Sequence, residues 1–140
     1  MLMATGRDRP AILAALAPGY SRLFDRALAV LAADDRVRAV WVSGSIARGD
    51  ADLASDLDLI VTVADDEHSS FASGWRTWLA AITDTVLAKP LVFAPGSFCA
   101  VTPDWHRLDV VVERTSDVAA TELRTRIAVL DRDGLAHVVP

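Results

Sequence analysis

The chain has little cysteine, little lysine and no long apolar run. Cys99 is the only cysteine among 140 residues, so an intrachain disulfide and a cysteine-based metal site are both excluded, and a cytoplasmic setting is expected. Lys89 is the only lysine, and arginine supplies nearly all of the positive charge. The apolar run over residues 11–17 is far too short to cross a bilayer, and no signal peptide is expected.

Positive charge is also scarce relative to negative charge. The formal net charge is −5 at pH 7, which argues against nucleic acid held through bulk charge. Hydrophobic residues make up 52% of the chain and charged residues 24%, a balance typical of a folded protein rather than a disordered one. The length favours one domain over residues 1–140.

The hydrophobic pattern predicts helices interleaved with strands. Apolar residues at helical spacing predict helix over 10–33, interrupted at Pro18-Gly19, and a further helix that opens at Asp65. A short helix is expected at 44–49 and another at 117–126. Predicted strands are 37–42, 57–63, 91–94, 98–102, 107–112, 127–131 and 135–139, the last two joined by a hairpin turn at Asp133-Gly134. The pattern indicates an α/β (α+β) domain with one mixed sheet and helices packed mainly on one face.

The most informative segment joins a Gly-Ser turn to a pair of aspartates. Gly44 lets a phosphate approach the backbone closely, and Ser45 offers a hydroxyl and an N–H group at the start of a helix. Asp56 and Asp58 stand at the head of an apolar strand, where alternation points both to one face, roughly 6–7 Å apart. That spacing suits one or two hard divalent cations.

A third carboxylate stands on a later predicted strand. Asp109 lies within the apolar run 107–112, where an unpaired carboxylate would be costly. Either an ion pair with Arg107 satisfies it, or it joins Asp56 and Asp58 in one site, which is the interpretation we favour. Cys99, between Phe98 and Ala100, is interpreted as a buried strand residue.

Order, spacing and strand context together make the segment GSIARGDADLASDLDLIV resemble the signature of the DNA polymerase β-like nucleotidyltransferase superfamily. The matching residues are Gly44, Ser45, Asp56 and Asp58. Asp109 stands where that family carries a third carboxylate, and residues 47–50 and Ser55 look like the aminoglycoside nucleotidyltransferase and minimal nucleotidyltransferase (MNT) branches. The resemblance covers about residues 35–115, and it implies the nucleotidyltransferase fold.

The resemblance also implies a reaction. A nucleoside monophosphate, usually AMP from Mg-ATP but in principle from another nucleoside triphosphate, passes to an acceptor hydroxyl, and pyrophosphate leaves. One Mg²⁺ on Asp56 and Asp58 would hold the triphosphate, which Gly44 and Ser45 cradle, and a second would add Asp109 as a ligand. Mn²⁺ is an expected substitute. The resemblance equally allows Asp109 to be the general base for the acceptor.

The sequence leaves the role of Arg48 and the identity of the acceptor undecided. Arg48 is a candidate phosphate contact, and a plain surface arginine fits the sequence about as well. The acceptor is a small molecule of the aminoglycoside kind or a partner protein. In the second case the chain resembles an MNT-type antitoxin that acts on or neutralises a HEPN-type toxin. A non-catalytic nucleotide- or protein-binding module is the third alternative.

The end of the sequence raises a further expectation. Aminoglycoside nucleotidyltransferases carry a helical acceptor-binding domain after this core, whereas the sequence ends at Pro140. Either a C-terminal domain is missing, or the natural protein is a minimal form. The high apolar content predicts an open, shallow cleft at the carboxylates beside an apolar patch that a second copy, a partner protein or a further domain covers.

Overall fold

A computed structural model describes residues 19–52 and 55–140 of the chain. Its helices are α1 (Tyr20–Ala32), α2 (Gly44–Arg48), α3 (His68–Ser73) and α4 (Trp75–Ile82). Its strands are β1 (Val37–Val42), β2 (Leu57–Val63), β3 (Leu87–Pro90), β4 (Phe98–Val101), β5 (Arg107–Arg114) and β6 (Ile127–Asp131). None of the helices in these two ranges has the length and apolar character needed to span a membrane. The helix predicted before residue 19 lies outside the described residues.

The six strands form one mixed sheet in the order β3-β4-β5-β2-β1-β6. The two central strands, β2 and β5, run parallel, and every other neighbouring pair is antiparallel. Side chains alternate along β2 and β5, so that one face of the sheet packs on the helices. The core residues of these two strands are Leu57, Leu59, Val61, Val63, Leu108, Val110 and Val112. The predicted fold class, one mixed sheet with helices mainly on one face, is therefore confirmed.

The other face of the sheet carries a smaller apolar cluster. Trp41, Ala39 and Ile60 are buried there, and Leu135 and Val139 of the C-terminal segment pack against them. Plain alternation would put Val37 on this face as well. A register shift between Val37 and Ala39 turns it into the helix-covered core instead.

Two predicted elements are wrong and a third is right only in part. Residues 91–94 form a turn, in which the Leu91 N–H donates to the Ser97 carbonyl, and the edge strand β3 comes earlier in the chain. Of the helix predicted over 117–126, only the first residues are helical: a 3₁₀ helix over Thr115–Ala120 is followed by irregular chain. Residues 135–139 are not a strand, because the Asp131 carboxylate accepts the N–H groups of Leu135 and Ala136 and caps the 3₁₀ turn Leu135–His137.

A buried ion pair fastens the irregular chain to the open face of the sheet. The Arg126 side chain is 1% exposed and its Nη1 lies 2.8 Å from Glu113 Oε2 on β5. The Thr62 hydroxyl donates to the same carboxylate oxygen at 2.6 Å, and Trp41 Nε1 donates to Thr62 Oγ1 at 2.8 Å. Each polar group of this cluster thereby has a partner inside the fold.

Removing one partner of this pair should be costly, because the other charge stays buried. We expect Glu113→Ala to lower the free energy of unfolding by about 3–5 kcal/mol. Asp133→Ala is the matched control, since its ion pair with Arg38 is 2.7 Å long but has side chains 29% and 40% exposed. That change should cost about 1 kcal/mol or less. Denaturant unfolding measures both, and equal losses would contradict the assignment.

Candidate active site

The three predicted carboxylates lie on one side of the sheet. Parallel pairing sets Asp58 of β2 directly beside Asp109 of β5, on the face that the helices leave open. Asp56 precedes β2 by one residue, and Arg107 connects it to the pair. The Arg107 Nε lies 3.0 Å from Asp109 Oδ1 and 3.8 Å from Asp56 Oδ2. Asp109 thus forms an ion pair with Arg107 and also lies next to the other aspartates, so the two interpretations of Asp109 do not exclude each other.

Burial and nearby negative charge disfavour the charged forms of Asp58 and Asp56. The pKa of Asp58 is raised to about 6, first by burial and then by the negative charges of Asp109 and Asp56. Burial also raises the pKa of Asp56, against the opposing effect of Arg107. One arginine thus leaves the cluster with an excess of negative charge that a further cation would relieve.

The Gly-Ser turn packs directly against this cluster. The Ser43 N–H donates to the Asp58 carbonyl at 2.9 Å, and α2 begins at the next residue. Gly44 has a φ of +65°, and a Cβ there would lie 2.2 Å from Asp58 Oδ2. Only glycine fits between the turn and the carboxylate. Ser45 follows on the first turn of α2 and is half-buried.

An open cleft of about 560 Å³ runs along this turn. Gly44, Asp58 and Arg48 line one part of it, so the structure brings Arg48 to the same cleft as the turn and Asp58. Arg48 is exposed and its Nε lies 3.4 Å from Asp50 Oδ2. Residues 122–125 form another part of the cleft wall, with the exposed Leu123 among them.

The profile of the nucleotidyltransferase domain family matches residues 25–118. The chain belongs to this family. The matched range includes the Gly-Ser turn and all three aspartates, and the resemblance seen in the sequence is confirmed. A search of curated proteins finds no match to the sequence.

Two solved structures share the fold of this nucleotidyltransferase domain. An aminoglycoside 6-adenyltransferase from Bacillus subtilis is 18% identical with a TM-score of 0.53, over 74% of this chain and 38% of that one. A protein from Sulfolobus solfataricus, itself only provisionally assigned as a nucleotidyltransferase, is 13% identical with a TM-score of 0.54, over 95% of this chain and 96% of that one. The chain therefore spans well under half of the adenyltransferase.

Cys99 is a neighbour of the site that the sequence interpretation did not place there. Cys99 pairs with Asp109 across β4 and β5, and its thiol is half-buried rather than buried. The thiol donates to Asp109 Oδ1 at 2.8 Å, while Arg107 Nη2 donates to the sulfur at 3.0 Å. Burial, and then the hydrogen bond to Asp109, raise the pKa of the thiol. Strand alternation could have revealed this, since Phe98 and Ala100 take the core face.

Tyr20 is a second residue that sequence reasoning missed. Its hydroxyl accepts the Arg107 backbone N–H at 3.0 Å, and its ring lies 4.4 Å from the ring of His106. Burial raises the pKa of Tyr20, and the three nearby aspartates add to that effect. The first residue of α1 thereby fixes the start of β5, on which Arg107 and Asp109 stand. No local sequence signal reports a contact across 87 residues.

The donor set of the site suits a hard divalent cation. Asp56, Asp58 and Asp109 offer only carboxylate oxygens, which Mg²⁺ and Mn²⁺ prefer, and their excess negative charge favours a cation. Within residues 19–52 and 55–140, no three His, Cys, Asp or Glu side chains already form a metal cage. The residues fit a metal, and their roles as ligands stay a prediction.

The raised pKa of Asp58 predicts how metal-free stability depends on pH. Because the folded-state pKa of about 6 lies above the usual value, Asp58 favours folding at low pH, and this contribution is lost as the pH rises through 6. Asp58→Asn should therefore stabilise the protein at pH 7.5, on the order of 1 kcal/mol after solvent screening, and leave it nearly unchanged at pH 4.

The control for this change is Asp66→Asn, an exposed aspartate on the 3₁₀ turn Asp65–Glu67. Urea unfolding at both pH values in the presence of a chelator measures the difference between variant and wild type. Parallel pH profiles of the unfolding free energy for the wild type and Asp58→Asn would show that ionisation of Asp58 does not destabilise the fold.

Proposed function

We propose that this chain transfers a nucleoside monophosphate from a nucleoside triphosphate, in the first place AMP from ATP, to a hydroxyl group of an acceptor. One observation carries the proposal: a Cβ at Gly44 would collide with the Asp58 carboxylate, so the turn packs against Asp58, and Asp58 lies beside Asp109. A turn suited to phosphate and a carboxylate cluster suited to metal thus meet at one point. Family membership supports the same reaction class.

The residues divide the chemistry among them. Backbone N–H groups at Gly44 and Ser45 would bind triphosphate oxygens, with Arg48 adding positive charge from the cleft. Asp56, Asp58 and Asp109 would hold one or two Mg²⁺ ions, or Mn²⁺ in their place. The metal supplies charge neutralisation on the phosphates and a lower pKa for the acceptor hydroxyl.

Bond making and bond breaking are then balanced. The acceptor oxygen bonds to the α-phosphorus, the bond between that phosphorus and the oxygen bridging to the β-phosphorus breaks, and pyrophosphate leaves with its electron pair. The hydroxyl proton passes to a carboxylate, for which Asp109 is the candidate, or to solvent. Positioning and charge stabilisation supply most of the rate enhancement in this scheme.

Two acceptors are candidates. The shared fold with the Bacillus subtilis adenyltransferase supports a small hydroxyl compound of the aminoglycoside kind. The second candidate is a HEPN-type toxin, as the resemblance of residues 47–50 and Ser55 to the MNT branch implies. Either reaction suits the cytoplasm, which also fits the single cysteine. The exposed Leu123 on the cleft wall is the apolar contact we propose for a partner, a second copy or a further domain.

Labelled ATP tests the reaction class. With Mg²⁺ and a panel of small hydroxyl compounds and candidate proteins, label from the α-phosphate should appear in the acceptor, and label from the γ-phosphate in pyrophosphate. Asp56→Asn and Asp109→Asn should each reduce the rate by at least about 100-fold, given the usual size of electrostatic contributions. Transfer of γ label to an acceptor would mean a kinase. Nucleotide binding with no release of pyrophosphate under any condition would mean a binding module.

Gly44→Ala tests the phosphate turn itself. The new Cβ would push on the Asp58 carboxylate from 2.2 Å, so we expect Mg-ATP binding to be lost. Gly49→Ala is the matched control, because Gly49 shares a positive φ of +78° and has open space around it. Both variants should lose about 1–2 kcal/mol of stability from backbone strain. Calorimetry with Mg-ATP should separate them, and equal binding by the two variants would refute the role of the turn.

A further inference from the structure

Part of the cleft wall, residues 122–125, is built by chain that the sequence predicted to be helical. Ile127, the first residue of β6, pairs with Val42, the last residue of β1. The residues just before β6 therefore arrive beside the residues just after β1. For this reason residues 122–125 line the same cleft as Ser43 and Gly44.

Arg126 connects this wall to the sheet through hydrogen bonds and an ion pair. Besides its ion pair with Glu113, its Nε donates to the Leu123 carbonyl at 2.7 Å and its Nη2 donates to Thr121 Oγ1 at 3.1 Å. Its guanidinium also lies 4.8 Å from the centre of the Trp41 ring. One buried side chain thus holds both ends of the segment 121–126 against the sheet.

Arg124 is the cation that this wall presents. Its side chain is exposed on the cleft, and within residues 19–52 and 55–140 its guanidinium makes no hydrogen bond or ion pair. The other cleft arginine, Arg48, shares its charge with Asp50. Asp58 and Glu122 make the remaining charges of the cleft negative. A polyanion in this cleft therefore finds in Arg124 its most available positive charge.

We propose that Arg124 binds phosphate oxygens of the nucleoside triphosphate and that Arg126 is the positioning residue which holds it there. The proposal rests on the proposed function and names a binding residue outside the Gly-Ser turn. Guanidinium groups bind phosphate with two parallel N–H donors, which a single ammonium does not match.

Calorimetry with Mg²⁺ and α,β-methylene-ATP, which cannot be cleaved at the transferred bond, tests this on the full chain. Arg124→Gln should weaken binding of α,β-methylene-ATP 10- to 100-fold. Its effect on AMP binding should be less than about twofold, because AMP lacks the β- and γ-phosphates that Arg124 would contact. The affinity of Arg124→Lys for α,β-methylene-ATP should fall between those of the wild type and Arg124→Gln. Arg76→Gln, an exposed arginine on α4, is the control and should bind as wild type does.

The positioning role has its own readout. Arg126→Lys and, as a second variant, Glu113→Gln should each weaken α,β-methylene-ATP binding, and in either background Arg124→Gln should have little further effect. A merely structural role for Arg126 would instead give additive losses. Circular dichroism confirms that each variant is folded before it is scored.

Each remaining outcome decides the matter. Wild-type affinity in Arg124→Gln would overturn this inference and leave the proposed function standing. Equal weakening toward AMP and α,β-methylene-ATP would assign Arg124 to the nucleoside instead of the outer phosphates, and would overturn it too. A wild-type chain that binds no nucleotide would overturn both this inference and the proposed function.

Discussion

Repulsion among carboxylates is the constraint on which the site depends. The parallel pairing of β2 and β5 puts Asp58 and Asp109 side by side, where burial and like charge raise the pKa of Asp58 to about 6. Arg107 relieves part of the repulsion, and Tyr20 holds the backbone of Arg107 in place. Such an arrangement costs stability in the absence of a cation. This destabilising cluster lies directly against the glycine turn that we propose to bind phosphate.

Much of the site could be predicted because alternation along a strand is a local property. The spacing of Asp56 and Asp58 was enough to put both on one face, and the apolar residues between and after them do fill the core. That Asp109 stands beside Asp58 instead of elsewhere in the sheet depends on the register of a parallel pair, which no local pattern encodes. Asp109 was assigned to the site from the resemblance to the family signature, because the local pattern does not show which strand pairs with which.

The wrong predictions fall where long-range contacts outweigh local preference. Residues 121–126 contain good helix formers, yet the pairing of Ile127 with Val42 and the buried Arg126–Glu113 bridge hold them in an irregular path. The C-terminal residues end as a 3₁₀ turn because the Asp131 carboxylate takes their N–H groups. The irregular chain that results packs against the open face of the sheet through Arg126 and lines part of the cleft, so the error in secondary structure concealed part of the cleft wall.

The central claim is that the three aspartates and the glycine turn form one metal-nucleotide site. A crystal structure with Mn²⁺ and α,β-methylene-ATP, read by anomalous scattering, tests it most directly. The account predicts an Mn²⁺ peak within coordination distance of carboxylate oxygens of Asp56 and Asp58, with the triphosphate against the backbone of Gly44 and Ser45. Mn²⁺ bound away from these carboxylates, or a nucleotide bound outside the cleft, would contradict it.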